Sequence, residues 1–428
     1  MKKLFWNALI ILNFYLILYF WFTNSNVLIA SSRPGDFYIA LGRLFGLLSE
    51  LALLISLLLI SRFGPIEKEY GFDKLIGFHK WLGFATGIFI ISHPLFLTIG
   101  YGQVNKINYF TQFLNFLTDW EEIIPALIAT LIIIFTAIVS IKKIRSKFSY
   151  ELWYFSHLPL YIAVAIAFNH QIETGDLTSG GALTYWFILN ILTAGLVISY
   201  RFLRPSYFFT KHRFTVEKVV KENDSVYSIY LTGKELQDFR FKSGQFATLI
   251  FLQKGLWFHH PFSFSDSYNV QYLRFSIKAF GDFTSKINQL KAGTKVWIDG
   301  PVGTFTLSKA NKNKYLFIAG GIGITPILSI IKSLTDKNSG LLLYSNKTEV
   351  ETVFKEEITK SGIKTHFFYT AQGESNRINI AKISELCPDY LDRDIYLCGS
   401  VKMTSGLVKD LRKTAINKGQ IHLEKFDY

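Results

Sequence analysis

Four histidines lie inside two long apolar stretches of the sequence. His79 and His93 belong to the stretch Leu75–Gly100, and His157 and His170 belong to the stretch Tyr150–His170. Both stretches are long enough to cross a membrane as helices, and ionisable side chains at such depth are costly and usually functional. The separations of fourteen and thirteen positions correspond to roughly 21 and 20 Å of helical rise. We therefore expect one histidine of each pair near each membrane face.

This arrangement of imidazoles is suited to metal chemistry. Imidazole binds iron, copper and zinc alike, but two neutral nitrogens on opposite sides of a flat gap between helices are what a six-coordinate haem requires. We expect His79 and His157 to form an inner site, and His93 and His170 to form an outer site. The alternative is that each histidine hydrogen-bonds a neighbouring carbonyl inside the bundle. The sequence has no C-x-x-C-H motif, so any haem would be non-covalent haem b.

The helical rotation between paired histidines differs in the two stretches. Fourteen residues rotate a helix by about 320°, so His79 and His93 share a face. Thirteen residues rotate it by about 220°, so His157 and His170 share a face only if the helix is distorted. Pro159 provides a reason for such a kink.

Six apolar stretches predict a six-helix membrane bundle. The predicted spans are Met1–Thr23, Phe37–Ser61, Leu75–Gly100, Ile123–Ile141, Tyr150–Asn169 and Leu183–Leu203. Basic residues concentrate at one side of these spans, at Lys2, Lys3, Arg62, Lys68, Lys74, Lys142, Lys143, Arg145, Lys147, Arg201, Arg204, Lys211 and Arg213. The other side has few basic residues besides Arg33 and Lys106. Both termini are therefore expected in the cytoplasm, in a multi-pass protein of the plasma membrane.

Charge and cysteine content exclude some classes of protein. The net charge of +14 is largely explained by the positive-inside bias, so it indicates no nucleic-acid partner. The only two cysteines, Cys387 and Cys398, allow neither a disulfide framework nor a cysteine-ligated iron–sulfur cluster.

Two charged residues lie inside the second span. Arg43 and Glu50 are seven positions apart on similar helix faces, so they could pair to neutralise each other. Arg43 also lies in the outer half, where a guanidinium would suit a haem propionate. We favour the propionate role.

The second half of the chain has the pattern of a soluble protein. Residues Pro205–Lys211 are expected to form the linker, followed by strands typical of an antiparallel barrel. From Asn313 strands alternate with glycine turns and helices, which indicates a doubly wound parallel sheet. The expected fold is a multi-domain membrane protein: a six-helix transmembrane bundle at 1–208, an antiparallel β-barrel at 209–310 and an α/β nucleotide-binding domain at 311–428.

These features together resemble the NADPH oxidase and ferric reductase superfamily, with a soluble half similar to ferredoxin-NADP reductases. The resemblance covers almost the whole chain. It rests on six spans, on paired histidines in spans three and five, and on the motifs SGQF at 243–246, HPFS at 260–263, GPVG at 300–303 and the glycine turn at 320–323. It implies an FAD-binding barrel, an NADPH- or NADH-binding domain and two haem b groups.

The resemblance also implies how FAD would be held. Phe262 would pack on the isoalloxazine, Ser263 would hydrogen-bond its N5 edge, and His260, before Pro261, would face the ribityl or phosphate groups. A second segment would bind the pyrophosphate; it consists of Ile277, Lys278, Gly281, Phe283, Thr284 and Ser285. A cation and a helix start at Thr284 suit a diphosphate.

Two further segments would bind the nicotinamide dinucleotide. Glycines that follow a strand and open a helix let a pyrophosphate approach backbone N–H groups. The residues concerned are Gly320, Gly321, Gly323, Thr325 and Pro326, and the second segment contains Cys398 and Gly399. Cys398 is implied to lie near the nicotinamide without acting as a nucleophile, because hydride transfer needs none.

The ends of the dinucleotide site are expected at two other places. Ser345 and Lys347 follow the strand Leu341–Tyr344 and could hold a 2′-phosphate, although a surface turn is also compatible, so NADPH and NADH both stay open. The final residues resemble the family's E-x-F terminus, whose aromatic covers the flavin. Phe426 is our choice for this role, and Tyr428 is the alternative.

The implied activity is transfer of electrons from cytoplasmic NAD(P)H through FAD and the two haems to an extracytoplasmic acceptor. We favour dioxygen, giving superoxide, over a ferric chelate, because the histidine spacing resembles that of oxidases. The segment Pro94–Leu97 lacks the further histidine of many such oxidases. We expect no obligatory protein partner, since the sequence has neither a calcium-loop pattern nor an N-terminal regulatory extension.

Two other functions remain open at this stage. The first is a flavin reductase that is merely tethered by helices, with structural histidines. The second is a proton or metal-ion carrier that uses the intramembrane histidines, Arg43 and Glu50 as a relay.

Overall fold

The computed structural model describes residues 2–373 and 376–425. The chain forms two compact units, Met1–Arg201 and Phe202–Tyr428. The expected fold class is confirmed, since a helical bundle precedes an antiparallel barrel and a parallel α/β domain. The three-domain division at 208 and 310 stays a prediction.

The first unit is entirely helical within its described residues. Its helices are α1 (Lys2–Ala30), α2 (Asp36–Ile60), α3 (Gly64–Tyr70), α4 (Phe72–Asn105), α5 (Tyr109–Asp119), α6 (Ile123–Ser140), α7 (Lys142–Arg145), α8 (Tyr150–His157), α9 (Pro159–Glu173) and α10 (Gly180–Val197). Six helical segments are long and apolar enough to cross a membrane: Lys2–Ala30, Asp36–Ile60, Lys74–Asn105, Ile123–Ser140, Glu151–Glu173 and Gly180–His212. The six predicted spans are therefore confirmed, with some helices longer than expected.

Helix α2 packs closely on α4 because glycines expose its backbone. A side chain at Gly42 would lie 2.7 Å from Leu97, and one at Gly100 of α4 would lie 2.7 Å from Ile39. Small residues at such contacts let helix backbones approach each other inside a membrane. This contact places the histidines of α4 beside the backbone of α2.

The fifth span is interrupted where Pro159 predicts a kink. Helix α8 ends at His157 and α9 begins at Pro159, with the Leu158 N–H donating to Phe155 O at 3.3 Å instead of to an i−4 carbonyl. Proline lacks the N–H of a helix interior and clashes with the preceding turn. The distortion that His157 and His170 require is thus present.

The linker expected at Pro205–Lys211 is helical, and its linking role stays a prediction. These residues lie within α11 (Arg204–His212), which follows a π-helical segment at Ile198–Leu203. Pro205 lies in the first turn of α11, directly after the wider π-helical turn, which changes the hydrogen-bond register.

The barrel consists of two three-stranded antiparallel sheets in the orders β1-β2-β5 and β4-β3-β6. Its strands are β1 (Thr215–Lys221), β2 (Val226–Thr232), β3 (Phe246–Phe251), β4 (His260–Ser263), β5 (Leu273–Lys278) and β6 (Val296–Val302). A phenylalanine-rich core lies between the sheets and includes the fully buried Phe214, Phe251, Phe264 and Phe275.

The last part is a parallel five-stranded sheet in the order β11-β10-β7-β8-β9. Its strands are β7 (Tyr315–Gly320), β8 (Gly340–Asn346), β9 (Lys364–Tyr369), β10 (Asp394–Gly399) and β11 (Ile421–Lys425), and its helices are α12 (Ile324–Ser333), α13 (Lys355–Lys360), α14 (Ile380–Leu386) and α15 (Val401–Leu411). Separate apolar clusters cover the two faces of the sheet, as buried parallel strands require. The sequence pattern predicted all of these strands except β11.

Gly244 of the SGQF motif provides a test of the close packing between the turn before β3 and the segment after β6. Gly244 has φ +91°, and an added Cβ would overlap the carbonyl oxygen of Phe305, whereas Gly293 has φ +82° and open space around it. We expect Gly293→Ala to cost about 1–2 kcal/mol for its positive φ. Gly244→Ala should cost about 1–3 kcal/mol more, because the Phe305 carbonyl must move.

The measurement is hydrogen exchange of the β3–β6 ladder in the full-length protein in detergent. Faster exchange in Gly244→Ala than in Gly293→Ala is the expected result. Equal exchange in the two variants would contradict the close approach of Gly244 to Phe305.

Candidate functional site

The outer histidine of α4 is held by the backbone of α2. The His93 Nδ1–H donates to Gly42 O at 2.8 Å, and because a carbonyl only accepts, the hydrogen must be on Nδ1. A Cβ at Gly46 would lie 2.8 Å from the same nitrogen. The missing side chains of α2 therefore let the ring approach, while Nε2 keeps its lone pair for a ligand.

The histidine of α9 faces this ring. The His93 and His170 ring centroids are 6.0 Å apart, with 60° between the planes. Thr174 Oγ1 donates to the His170 carbonyl at 2.8 Å and lies 3.3 Å from His170 Nδ1, from which it can accept. Both rings of the outer pair thus have Nδ1 engaged by the protein.

The inner pair has similar support. His79 Nδ1 lies 2.6 Å from Ser56 Oγ of α2, and His157 Nδ1 donates to Trp153 O at 3.0 Å. His79 and His157 are close enough to interact electrostatically. Ser140 Oγ lies 3.2 Å from His157 Nε2, but its hydrogen has an alternative acceptor in the Thr136 carbonyl at 2.7 Å.

These pairs fit a bis-histidine haem in two respects. Imidazoles on opposite sides of one metal ion, with metal–nitrogen distances of about 2 Å, have ring centroids roughly 6 Å apart, which matches His93 and His170. Hydrogen bonds at Nδ1 also orient a ligating imidazole and leave Nε2 for the metal. Among residues 2–373 and 376–425, no three His, Cys, Asp or Glu side chains cluster as a metal site.

Arg43 does not pair with Glu50, so the alternative of mutual neutralisation is wrong. Its guanidinium donates to Asp176 Oδ1 at 2.8 Å, and the Ser25 hydroxyl also donates to this buried carboxylate, at 2.8 and 3.0 Å. Glu50 is 4% exposed and interacts instead with Gln171 of α9. No sequence pattern indicated that an aspartate of the short turn after α9 would reach α2. The propionate role of Arg43 stays a prediction.

The two proposed flavin-binding segments meet in the barrel. Strand β4 pairs antiparallel with β3, with Ser263 opposite Phe246, and Ser263 is buried. The ring centroids of His260 and Phe262 are 6.4 Å apart, and the Phe283 ring of the second segment stacks on the His260 ring with centroids 3.8 Å apart. Pro261 belongs to the same strand. The structure thus brings HPFS and the 281–285 segment together around one row of rings.

The second flavin segment differs in detail from the sequence-based expectation. Gly281 has φ +90°, but the turn after it is a 3₁₀ helix, Thr284–Gln289, that contains Ser285. The Thr284 hydroxyl is already used locally, donating to Phe280 O and accepting from Phe280 N at 2.9 Å. The Ile277 side chain is 2% exposed in the barrel core, so only its backbone can contact a ligand. Lys278 lies 3.8 Å from Glu351.

The glycine turn lies where a dinucleotide site is expected in a parallel sheet. Strand order reverses between β7 and β10, and ligands bind at the carboxyl ends of strands at such a switch point. A Cβ at Gly323 would overlap Cys398 O, and one at Gly399 would lie 3.1 Å from Gly320 Cα. The loops after β7 and β10 therefore form one surface, which includes Gly321 with φ +54°.

The side chains next to this turn are mostly buried. Thr325 donates to Ile322 O at 3.0 Å, which stabilises the first turn of α12, and Pro326 lies in that same turn. The Cys398 side chain is fully buried. The protein contacts available to a nucleotide here are therefore mainly backbone groups.

The remaining predicted contacts lie at the sheet edge. We expected Ser345 to follow a strand, but it lies inside β8 opposite Gly320 and is 8% exposed. Lys347 lies beyond the strand, and its carbonyl accepts from the Ala371 N–H at 2.9 Å. Phe426 and Tyr428 lie outside the described residues. Strand β11 reaches Lys425, which pairs with Gly399.

One group of charged residues was missed by the sequence analysis. Arg274 in β5 is 2% exposed and donates to Glu357 of α13 at 2.7 and 3.1 Å. Burial alone would raise the pKa of Glu357, but the hydrogen bond from Arg274 and a further contact with Lys332 hold it below its ordinary value. A strand that alternates Arg274 and Ser276 with apolar residues predicts a solvated face, so no sequence signal indicated that Arg274 is buried against Glu357.

Three known families match separate parts of the chain. A ferric reductase like transmembrane component matches residues 45–168, an FAD-binding domain matches residues 211–306, and an oxidoreductase NAD-binding domain matches residues 317–409. Binding sites for FAD and for a nicotinamide dinucleotide therefore follow a ferric-reductase-like membrane part.

The chain is similar to several characterised proteins. The glycine betaine monooxygenase reductase subunit of Chromohalobacter salexigens is 24% identical over 50% of this chain and 64% of its own length. Dual oxidase 2 of Rattus norvegicus is 21% identical over 64% of this chain and 19% of its own length. A solved structure, the FAD/NAD binding domain of nitric oxide dioxygenase from Vibrio cholerae, matches 50% of this chain and 99% of that one at 23% identity with a TM-score of 0.44. The chain thus spans less than two thirds of these full-length relatives.

The two cysteines should be unreactive in the folded protein. Burial raises the pKa of the Cys387 thiol from 9.0 to about 11, with Arg393 opposing and Asp389 adding to the effect. Two pKa units reduce the thiolate fraction at neutral pH about 100-fold, and Cys398 is equally buried. Alkylation by iodoacetamide, followed by mass spectrometry, should be slow at pH 7 and rise with pH up to about 11.

Denatured protein is the control, in which both thiols should react at the ordinary rate. Fast alkylation of Cys398 in the native protein would place it outside the sheet core and reopen a nucleophilic role.

Proposed function

We propose that this chain, which has the domain architecture of the NADPH oxidase and ferric reductase superfamily, is an oxidoreductase that carries electrons from NAD(P)H through FAD across a membrane. The observation that carries the proposal is the pairing of α4 histidines with α8 and α9 histidines. Two such pairs at two depths provide two sites for haem b along one path.

Each part of the chain has a role in this path. The glycine surface at Gly320–Gly323 and Gly399 admits the pyrophosphate of NAD(P)H to backbone groups. His260 and Phe262, which are half-buried and lie against the buried Phe283, offer an aromatic surface to FAD, with Ser263 next to them in β4. Bound FAD supplies the conversion between a two-electron hydride donor and one-electron haem carriers.

The histidines hold the two haems by their Nε2 atoms. His79 and His157 form the inner site, and His93 and His170 form the outer site. The carbonyl acceptors of His93 and His157 fix the Nδ1–H tautomer of these two rings. The hydroxyls of Ser56 and Thr174 orient the rings of His79 and His170. Arg43 could neutralise a propionate of the outer haem, since its guanidinium keeps partial exposure while it binds Asp176.

Dioxygen is the proposed acceptor, and a ferric chelate is the alternative. Oxidation of one NAD(P)H releases two electrons and one proton, and these electrons reduce two dioxygen molecules to superoxide. A haem with two histidine ligands has no free coordination site, so transfer would occur at its edge, where a ferric chelate could also react. The similarity to a dual oxidase favours dioxygen.

The positive-inside pattern supports a cytoplasmic dehydrogenase part in the plasma membrane, with both termini on that side. In this orientation a membrane potential that is negative inside assists each exported electron by about 2.3 kcal/mol per 100 mV. Within this proposal, no protein partner is required for turnover.

The test is an anaerobic absorption spectrum of the detergent-purified chain with FAD, before and after NADPH or NADH, followed by air. Reduced bis-histidine haem bands that appear with the nucleotide and vanish with air are the expected result. Haem that stays reduced in air until a ferric chelate is added would establish the alternative acceptor. Flavin without a Soret band in folded protein would contradict the haem sites.

Gly46 provides a sharper test of the outer haem site. Gly46→Ala should displace His93, because its Cβ would lie 2.8 Å from Nδ1, and we expect loss of one haem, with Soret absorbance per flavin reduced by about half. Gly87→Ala is the matched control, because nothing lies within 4 Å of that position in α4. Equal haem content in the two variants would show that His93 does not depend on this contact.

A further inference from the structure

The charged group around Arg274 joins the barrel to the parallel sheet domain. Arg274 and Asp266 belong to the barrel, and Lys332 of α12 and Glu357 of α13 belong to the sheet domain. Arg274 binds Glu357 at 2.7 and 3.1 Å, while Lys332 binds Asp266 at 3.0 Å and Glu357 at 2.8 Å. Two cations and two carboxylates thus form one closed cluster across the domain contact.

The barrel residues of this cluster are close in sequence to the proposed flavin-binding residues. Asp266 comes three residues after Ser263, at the end of the HPFS segment, and Arg274 lies in β5, which leads to Lys278. Arg274 also donates to the Ser265 carbonyl at 2.6 Å, and Tyr272 donates to Asp266 at 3.0 Å. The cluster therefore fixes the backbone just beyond β4.

The other side of the cluster belongs to the helix that starts at the glycine turn. Lys332 lies near the end of α12, and Ser329 of the same helix donates to the Asp266 carbonyl at 2.7 Å. Helix α12 begins at Ile324, immediately after Gly323. A rigid helix of ten residues thus connects the cluster to the dinucleotide turn.

The cluster is also well shielded from water on its barrel side. The side chains of Arg274 and Asp266 are 2% and 8% exposed, whereas Lys332 and Glu357 are about one third exposed. The Arg274 guanidinium lies over the Phe354 ring at 5.0 Å. Bidentate pairing adds geometric specificity to the attraction, so the cluster allows few relative orientations of its two sides.

We propose that Arg274 and Glu357 are positioning residues for hydride transfer, which hold the flavin-binding strands in register with the nicotinamide-binding turn. The proposal rests on the proposed function, because it assigns the reaction to FAD and NAD(P)H. Neither residue touches the reacting rings; both act through β4 and α12. Since a misplacement of about 1 Å can reduce a rate about 100-fold, a loosened cluster should slow hydride transfer more than it weakens binding.

The test uses Glu357→Gln in the full-length chain, with Glu356→Gln as the matched control. Glu356 is the neighbouring carboxylate, 89% exposed, and pairs with Lys360 at 3.6 Å. The measurement is anaerobic stopped-flow reduction of FAD at several NADPH concentrations. We expect the limiting rate to fall at least about tenfold in Glu357→Gln, with FAD content and apparent NADPH affinity within about twofold of wild type.

Variants of Arg274 extend this test. Arg274→Gln should lower the limiting rate at least as strongly, and Arg274→Lys should restore it in part, because it keeps the charge without the bidentate geometry. If Arg274→Gln does not fold, the partly exposed Glu357 still decides the matter. A wild-type limiting rate in Glu357→Gln with FAD bound would overturn the proposal.

A second readout separates this proposal from the proposed function. Spin labels at the exposed positions of Lys291→Cys and Lys402→Cys would report the distance between the barrel and the sheet domain, since both native cysteines are buried. We expect a narrow distribution in the otherwise wild-type chain and a broader one after Glu357→Gln. An unchanged distribution would overturn the positioning role. Failure of NAD(P)H to reduce the wild-type flavin would instead contradict the proposed function.

Discussion

The polar atoms of a histidine inside a membrane must find partners within the protein, because no water is available in the hydrocarbon core. The bundle satisfies this requirement chiefly at one of the two ring nitrogens, Nδ1. Each paired histidine has Nδ1 near an oxygen of the protein: Gly42 O, Ser56 Oγ, Trp153 O or Thr174 Oγ1. The packing of the helices follows from this, since glycines are needed where a ring meets the α2 backbone and a break is needed before Pro159.

The second unit meets a comparable constraint with backbone instead of side chains. A pyrophosphate bound at a helix N-terminus needs open access to N–H groups. Gly323 approaches the Cys398 carbonyl so closely that no side chain fits, and the buried Thr325 and Pro326 keep the first turn of α12 in place. The same helix carries Ser329 and Lys332 to the barrel, so the geometry of the turn and the contact between domains depend on one element.

Periodicity and composition were sufficient to predict most of the architecture. Long apolar runs identified the six spans, and alternating residues between turns identified the strands of the barrel, because these signals are local in sequence. The errors concern interactions between distant segments. Arg43 binds Asp176, 133 positions away, and Arg274 binds Glu357, 83 positions away, and neither partner is visible from spacing along one helix or strand.

The other errors concern local backbone geometry, and their cause is different. The π-helical segment before Arg204 and the 3₁₀ turn at Thr284 depend on hydrogen-bond register, which the same residues could adopt in more than one form. Ser345 was expected after the strand Leu341–Tyr344, yet pairing with β7 and β9 extends β8 to Asn346. In each case tertiary contacts, not propensity, decide where the element ends.

The two ion pairs, each with one buried and one partly exposed partner, show what these long-range contacts contribute. Burying opposite charges costs solvation that their attraction barely repays, so such pairs are poor sources of stability compared with apolar packing. Their value is geometric: Arg43–Asp176 connects α2 to the turn after α9, which carries His170, and Arg274–Glu357 connects β5 to α13. Each pair thus fixes elements that carry proposed cofactor ligands, at positions where an apolar contact would permit sliding. Geometric definition, rather than added stability, is the physical reason for retaining charge at these two positions.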